Sequence, residues 1–207
     1  MYKENEFQLK HRKKQRLEAL WRKSMPTSNR LNEVWSMDFM SDSLSSGRKF
    51  RTFNVLDDFN RESLAIEIDT SLPSERIIRS LEIIGQERGF PKYIRSDNGP
   101  EFISRSFRKF CCSNRIRHRR IEPGKPQQNS FIERFNRSYR EDILDMHAFT
   151  NLRQVRDLSS AWQIEYNYDR GHDSLNNLSP VEYAGSFFLP PSASCEKKKK
   201  KTAKCVK

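Results

Sequence analysis

Three acidic residues stand in contexts where a carboxylate is unusual. Asp38 lies inside an apolar stretch, Asp97 begins the turn sequence Asp97-Asn98-Gly99, and Glu133 lies in a helical pattern after a Gly/Pro-rich loop. A carboxylate in an apolar strand is costly to bury unless it has a partner, and a divalent cation is one such partner. Mg²⁺ prefers oxygen ligands, and two such ions about 3.5–4 Å apart assist both oxygens of a phosphoryl transfer. The three acidic residues are therefore candidate ligands for a pair of metal ions.

A structural role is the alternative for each of these carboxylates. Asp38 can pair with an arginine, and Asp-Asn-Gly is in any case a common turn sequence. The helix around Glu133 favours the chemical interpretation, because Asn129, Arg137 and Arg140 share a helix face with Glu133. Arginine grips phosphate through two parallel hydrogen bonds, so this face suits a site that holds both a metal and a phosphodiester. Ordinary surface pairing between glutamate and arginine remains the other explanation.

The basic residues are concentrated in three parts of the chain. Residues 1–30 and 192–207 each carry a net charge of +6, whereas residues 31–191 hold equal numbers of acidic and basic residues. Inside that neutral part, residues 103–140 hold eleven Lys or Arg and only two Glu. A neutral domain with one basic stretch and basic ends fits a nucleic-acid partner. Solubility is the alternative, above all for the lysine run 197–201, which can bind any anion.

The elements that must position these side chains alternate along the chain. The patterns predict five strands, at Val34–Met40, Phe50–Leu56, Ser63–Ile68, Tyr93–Ser96 and Arg117–Ile121. They predict four helices, at Ser74–Arg88, Ile103–Ser113, Asn129 to about Met146 and about Leu152 to Tyr166. The turn-like residues 57–61 indicate a hairpin between the second and third strands. A mixed sheet with helices packed on it follows, and the apolar side of the Glu133 helix (Phe131, Ile132, Phe135, Tyr139) is expected to dock on that sheet.

The composition excludes several classes of protein. No stretch approaches the length of an apolar membrane span, and the charged start Met-Tyr-Lys-Glu-Asn-Glu is not a secretory signal. The four cysteines lack zinc-binding spacing, so a reduced, cytosolic protein is expected. The domain organisation predicted is a basic N-terminal arm at 1–30, a core at 31–190 and a disordered Lys-rich tail at 191–207.

Several motifs together resemble those of a known family. They are Trp35-Ser36-Met37-Asp38-Phe39, Val55-Leu56-Asp57-Asp58-Phe59, Ser96-Asp97-Asn98-Gly99-Pro100-Glu101-Phe102, the segment from Pro123 to Asn136, Tyr166-Asn167 and His172-Asp173-Ser174-Leu175. Over residues 31–185 the chain resembles the catalytic core of DDE integrases and transposases, and most of all the second-frame transposases of the insertion-sequence-three family. Thirty-five residues separate Asp97 from Glu133, and a basic residue, Arg140, follows seven positions after the glutamate, as in that family.

The resemblance implies a fold and a reaction. The fold would be α/β and ribonuclease H-like, a five-stranded mixed sheet with helices on both faces. Asp38, Asp97 and Glu133 would coordinate two Mg²⁺ or Mn²⁺ ions. Water would cleave a phosphodiester at an element's end, and the freed 3′-OH would join target DNA by in-line transesterification. The partners implied are DNA, both element ends and target, and further copies of the chain in a synaptic complex, without a membrane.

The resemblance also assigns supporting residues. The side chains implied in holding DNA backbone are Lys125, Gln127, Asn129, Arg134, Arg137 and Arg140, with Asn98 and His172 as possible accessory residues. A structural role is an equal alternative for His172. Tyr139 is expected in the core, and Cys111 and Cys112 are expected to pack within a helix.

This sequence departs from the family pattern in two ways. Gly171 stands where the family commonly has proline, and only about 30 residues precede the core, where relatives carry a DNA-recognising helix-turn-helix segment. A catalytically idle DNA-binding fragment that competes with a longer enzyme is therefore the alternative function. A nuclease of the same fold that only hydrolyses DNA is a third possibility.

Overall fold

A computed structural model describes residues 28–122 and 124–187. The predicted tail at 191–207 and nearly all of the predicted arm at 1–30 lie outside these ranges. The described residues form an α/β fold built on one five-stranded sheet.

The sheet combines a meander with two parallel strands. Its strands are β1 (Val34–Ser43), β2 (Lys49–Asp57), β3 (Ser63–Asp69), β4 (Tyr93–Ser96) and β5 (Arg117–Arg120). They lie in the order β3-β2-β1-β4-β5, with β1 antiparallel to β2 and parallel to β4. The predicted hairpin joins β2 to β3, and each predicted strand is present within a few residues. The mixed sheet is confirmed.

Six α-helices are present in the described ranges. They are α1 (Ser74–Arg88), α2 (Pro100–Ile103), α3 (Arg105–Ser113), α4 (Ser130–Tyr139), α5 (Leu152–Tyr168) and α6 (Pro180–Ser186). None of them is both long enough and apolar enough to span a membrane.

Helices cover both faces of the sheet. Alternate residues of each strand point to opposite sides, and apolar residues occur on both, so each face needs a covering layer. On one face, Trp35 and Met37 of β1 pack with Ile77 of α1 and Phe107 of α3. On the other face, apolar residues of α4 and α5 pack against the sheet around Met40. Asp38 stands two residues before Met40 in β1, so its side chain points to the same face of the sheet. That face packs against α4, the helix that carries Glu133.

Two of the predicted helices are interrupted. The helix predicted at Ile103–Ser113 is divided by Ser104, whose backbone is extended and whose hydroxyl accepts the Phe107 N–H as the N-cap of α3. The helix predicted from Asn129 to about Met146 is α-helical only to Tyr139, because residues Arg140–Leu144 form a π turn. Helix α6, which begins with a capping box at Ser179, was not predicted.

Helix α4 docks by a narrower apolar face than the sequence predicts. Ile132, Phe135 and Tyr139 are buried, and the Tyr139 hydroxyl bonds Ser159 at 2.5 Å. Burial raises the pKa of Tyr139 to about 12, so this hydroxyl serves the core as expected. The prediction is wrong for Phe131, which is 37% exposed and lies under the guanidinium of Arg61 instead of on the sheet.

Candidate active site

The pairing of β1 with β4 brings two of the three carboxylates together. The parallel register pairs Ser36 with Arg95, and the same register continued by two residues places Asp97 beside Asp38. Two pairs earlier, Asp58 accepts a hydrogen bond from the Ser36 hydroxyl at 2.6 Å and forms a buried ion pair with Arg95 at 2.8 Å. This clamp holds the two strands together immediately before the carboxylates.

A tight turn fixes the carboxylate of Asp97 where β4 ends. Its Oδ1 atom accepts the Gly99 N–H at 3.0 Å, and the side chain of Asn98 donates to the Ile121 carbonyl at 3.0 Å. A Cβ atom added at Gly99 would lie only 3.1 Å from Asp97 Oδ1 and 3.2 Å from Glu101 Oε2. A side chain at position 99 would therefore crowd both carboxylates. Asn98 acts here by fixing the turn.

Helix α4 is anchored to β1 on both sides of Glu133. Before it, the Asn129 side chain donates to the Met37 carbonyl at 3.4 Å. After it, Asn136 Nδ2 donates to Asp38 Oδ2 at 2.9 Å. Residues 129, 133 and 136 share one helix face, so the two anchors fix the rotation of the helix and direct Glu133 toward the end of β4.

A buried asparagine continues this chain of hydrogen bonds into the sheet. Asn54 is the β2 partner of Asp38, and its Nδ2 atom donates to Asn136 Oδ1 at 2.7 Å. Both Asn54 and Asn136 are buried. The series Asn54–Asn136–Asp38 thus joins β2, α4 and β1, and its last hydrogen bond fixes the orientation of the Asp38 carboxylate.

The carboxyl of Asp38 is affected by both other acidic residues. Its pKa is raised to about 6, chiefly by burial and also by the negative charges of Asp97 and Glu133. The Phe39 N–H, at 2.9 Å, and the Asn136 amide oppose this by hydrogen bonding the ionised form. A carboxylate of this kind gains from a cation bound nearby.

The donor set fits a hard divalent cation, since all three groups offer oxygen. Glu133 is exposed and makes no hydrogen bond or ion pair with any other described residue, so it is available as a ligand. In the described part of the chain, however, no three His, Cys, Asp or Glu side chains stand close enough together to hold a metal as they are. Coordination by all three carboxylates would require the exposed Glu133 side chain to turn inward.

The residues predicted to hold DNA fall into two groups. Lys125, Gln127 and Arg137 are exposed near the carboxylates along the chain, and Lys125 forms an ion pair with Glu122. Arg140 bonds the Ser41 carbonyl at 3.1 Å and forms ion pairs with Asp42 and Asp145, which fix the end of α4 to β1. Asn129 differs from the expectation, because it is only 2% exposed and its amide serves the anchor described above.

Arg134 and His172 lie on the opposite side of α4 from Glu133. At about 100° per residue, the α4 residues Phe131, Arg134, Phe135 and Ser138 centre about 150° around the helix from Glu133. Arg134 lines a cavity together with His172, Arg61 and Arg170. The structure therefore does not bring His172 to the three carboxylates, where the sequence interpretation had allowed it. Its ring packs on Tyr166, with centroids 4.9 Å apart.

Sequence reasoning missed the structural roles of Asn54, Arg61 and Arg170. Asn54 carries a detectable signal, because an amide in the apolar run Phe53–Leu56 needs a buried partner. Arg61 and Arg170 carry none, since they are more than 100 residues apart and only the fold brings them together.

Comparisons with known proteins agree with this fold. A family model described as integrase core domain matches residues 28–126, and a second model with the same description matches residues 114–180. Together the two matches span residues 28–180, so the chain belongs to the integrase core domain family, and its fold is ribonuclease H-like.

Relatives come from bacterial insertion elements. The chain is 37% identical over 187 residues to an uncharacterized 39.2 kDa protein of insertion element IS476 from Xanthomonas euvesicatoria, covering 90% of this chain and 54% of that protein. It is 37% identical over 184 residues to a 31.7 kDa protein of IS407 from Burkholderia multivorans, covering 89% and 66%. The chain thus spans between half and two thirds of the length of these relatives.

Solved structures of retroviral integrases share the fold. A simian T-cell lymphotropic virus intasome in complex with PP2A regulatory subunit B56 gamma matches with a TM-score of 0.67 and 19% identity, over 86% of this chain and 63% of that one. The dimeric HTLV-2 integrase catalytic core domain in complex with magnesium matches with a TM-score of 0.60 and 20% identity, over 75% and 98%.

Proposed function

We propose that this chain catalyses metal-dependent cleavage of DNA at the ends of an insertion sequence and transfers the resulting 3′-OH into target DNA. The observation that supports this proposal is geometric: the β1–β4 register brings Asp97 next to Asp38, and Asn136 ties Asp38 to the helix that carries Glu133, within an integrase core fold. The bacterial insertion-element relatives support a mobile element as the source and bacterial cytoplasm, at the nucleoid, as the location.

Asp38, Asp97 and Glu133 are the proposed ligands of two Mg²⁺ or Mn²⁺ ions. The HTLV-2 core, which shares the fold, was solved in complex with magnesium. When bound, such ions lower the pKa of the attacking hydroxyl and stabilise the leaving oxygen. The work of this chain is positioning: the Phe39 N–H and Asn136 each donate to one oxygen of Asp38, and the Gly99 N–H donates to one oxygen of Asp97, so both carboxylates are held in a fixed orientation.

DNA binding near the carboxylates is assigned to exposed polar and basic side chains. Lys125, Gln127 and Arg137 are the proposed contacts to the DNA backbone, and Arg140 joins them if it exchanges an ion pair for a phosphate. Backbone contacts of this kind fix the position of a duplex but do not read its sequence. The intasome among the structural neighbours supports a further proposal, that several copies assemble on paired DNA ends.

A strand-transfer assay tests the proposed reaction. The purified chain is incubated with Mn²⁺ and labelled oligonucleotides taken from the DNA that flanks its own gene. We expect joined products, and we expect Glu133→Gln to reduce them by at least about a thousandfold, because several kcal/mol of charge stabilisation at the metal site are lost.

Glu141→Gln is the matched control. Glu141 is an exposed glutamate two helical turns further on, so the same substitution there should leave the joined products unchanged. Thermal unfolding and DNA binding in EDTA should be the same for both variants. Full activity of Glu133→Gln would show that the carboxylate assignment is wrong.

A DNA-binding fragment without activity is the second candidate. It is favoured by the absence of a ready three-ligand metal site in the described residues and by the eleven basic residues between 103 and 140. It predicts DNA binding that falls steeply with salt and ignores the metal, with no joined product. Cleaved but unjoined DNA would instead indicate a nuclease.

A further inference from the structure

A second polar site lies behind α4, away from the three carboxylates. It is a cavity of about 250 Å³, which is room for a phosphate group together with ordered waters. Residues of α4, of the turn after β2 and of the segment that follows α5 line it. The polar lining includes Arg61, Arg134, Arg170, His172, Ser138 and Ser174.

Arg61 is held in the cavity wall by its turn and by an aromatic ring. Its backbone is in the left-handed region, with φ of 61°, and its N–H donates to the Asp57 carbonyl at 3.0 Å. The guanidinium carbon lies 3.4 Å from the centroid of the Phe131 ring, a cation–π contact that fixes the side chain. Burial lowers the pKa of Arg61, although the charge of Asp58 opposes this. A cation held in this way gains from an anion.

The positive charge of the cavity is only partly compensated. Arg170 forms an ion pair with Asp142 at 2.5 Å. Arg134 forms no ion pair or hydrogen bond with any other described residue, so its guanidinium is available. Among the described residues that line the cavity, Asp173 is the one with an acidic side chain, and it is exposed to solvent. The lining therefore holds three arginines against a single solvated carboxylate.

His172 adds an unsatisfied polar atom to this wall. Its Nε2 atom is buried and has no hydrogen-bond partner. Leaving such a group unpaired is unfavourable. Burial and then the charge of Arg170 lower the pKa of His172. An anion in the cavity would favour the protonated ring, whose Nε2–H is a donor.

We propose that this cavity binds a phosphate group, gripped by Arg134 and Arg61 and contacted by His172. Guanidinium groups match phosphate oxygens in charge and in geometry. The phosphate comes either from a DNA backbone or from free inorganic phosphate, since both present the same oxygens. The site needs no metal and lies on the opposite face of α4 from the carboxylates, so it goes beyond the proposed reaction.

Binding of a short DNA duplex in EDTA tests the first source. Fluorescence anisotropy is measured over a range of salt concentrations for the wild type and Arg134→Gln. Loss of one phosphate contact should weaken binding about threefold to tenfold at low salt and reduce the slope of log K against log salt by about one. The affinity of Arg134→Lys for DNA should be intermediate, because lysine keeps the charge but cannot make arginine's two parallel hydrogen bonds to phosphate.

Arg79→Gln is the matched control for charge. Arg79 is an exposed helical arginine on α1, on the other face of the sheet, and it makes no ion pair with a described residue. Removing it changes the net charge equally and should leave the salt slope unchanged. Because EDTA prevents catalysis, failure here would not count against the proposed reaction, and failure of strand transfer would not count against this site.

Titration with inorganic phosphate tests the second source. The imidazole NMR signals of His172, assigned by their loss in His172→Gln, should shift saturably in the wild type and in Arg79→Gln but not in Arg134→Gln. Chloride at equal ionic strength should not shift them. If Arg134→Gln weakens DNA binding and lowers the salt slope, the ligand is a backbone phosphate. If Arg134→Gln changes only the phosphate titration, the ligand is free phosphate. If Arg134→Gln matches Arg79→Gln in both arms, the proposal is overturned.

Discussion

The two sides of helix α4 differ in charge and in construction. On one side, burial together with the negative charges of Asp97 and Glu133 raises the pKa of Asp38. On the other side, Arg134, Arg61 and Arg170 surround a cavity where the pKa of His172 is lowered. A single helix separates a site suited to cations from one suited to anions.

The difference in construction indicates different tasks. The acidic side is built mainly on the sheet: Asp38 lies within β1 and Asp97 directly follows β4, hydrogen bonds fix both, and only Glu133 comes from a helix. The basic side is built mostly on connecting segments, with Arg61 in a turn and Arg170 and His172 after α5. Side chains on strands are held in place, as metal chemistry requires, whereas side chains on turns can adapt to a ligand.

Asp38→Asn should have the largest effect on strand transfer, and it should leave phosphate binding in the basic cavity unchanged. We expect strand transfer to fall at least about a thousandfold, because a proposed metal ligand is lost. In EDTA at pH 8 the variant should nevertheless be more stable than the wild type by about 1–2 kcal/mol, discounted for partial exposure, since burial and two like charges oppose ionised Asp38. Thermal unfolding measures this gain.

The pH dependence gives the control for that stabilisation. The folded pKa of Asp38, about 6, exceeds its ordinary value of 3.8. Asp38 therefore favours folding fully below pH 3.8, and this contribution is lost as the pH rises through 6. The stability difference between variant and wild type should shrink between pH 7 and pH 4. A variant less stable than the wild type at pH 8 would contradict this account.

Asn136→Ala should have an intermediate effect, because it breaks the series that links β2, α4 and β1. The variant leaves Asp38 without its amide donor and Asn54 without its acceptor, which should cost about 1–3 kcal/mol in the free energy of unfolding. Strand transfer should fall about tenfold to a hundredfold, as for other residues that orient metal ligands. Chemical denaturation and the strand-transfer assay measure the two effects.

Asn114→Ala is the comparison for Asn136→Ala. The Asn114 amide bonds only the Phe110 carbonyl at the end of α3, so its loss should cost less than 1 kcal/mol and leave activity unchanged. Equal effects of the two variants would show that the series has no special role.

The smallest expected effect is the stabilisation of the folded chain by a bound ligand, and it distinguishes the two sides because each should bind a different ligand. In separate thermal unfolding runs, Mn²⁺ should stabilise the wild type and Arg134→Gln but not Asp38→Asn. Inorganic phosphate should stabilise the wild type and Asp38→Asn but not Arg134→Gln. A ligand at ten times its dissociation constant contributes about 1.4 kcal/mol. If both ligands lose their effect in the same variant, the two sides are not independent.

Much of the fold was predictable from the sequence. The first three strands follow from apolar patterns, α1 follows from its apolar side between Pro73 and Gly89, and the structure confirms them. The break at Ser104 and the π turn after Tyr139 were missed because an apolar pattern runs through both. In each case local hydrogen bonding, and not periodicity, decides where the α-helix ends.

The candidate site was predictable only in part. Motif spacing indicated Asp38, Asp97 and Glu133, and their catalytic role stays a prediction. The support from Asn54 depends on the pairing of β1 with β2 and on a helix 82 residues further along, which no local pattern reveals. The burial of Asn129 was missed because helical spacing gives the shared face but not the depth at which that face docks.

The two asparagine anchors of α4 determine where the chain tolerates a change in length. Extra residues in the loop between β5 and α4, around Gly124, would leave Asn129, Glu133 and Asn136 in the same relation to β1. One extra residue between Glu133 and Asn136 would instead rotate the glutamate by about 100° relative to its anchor. The number of residues between Asp97 and Glu133 can therefore change by insertions or deletions in the loop. The number of residues between Glu133 and its anchor Asn136 cannot change.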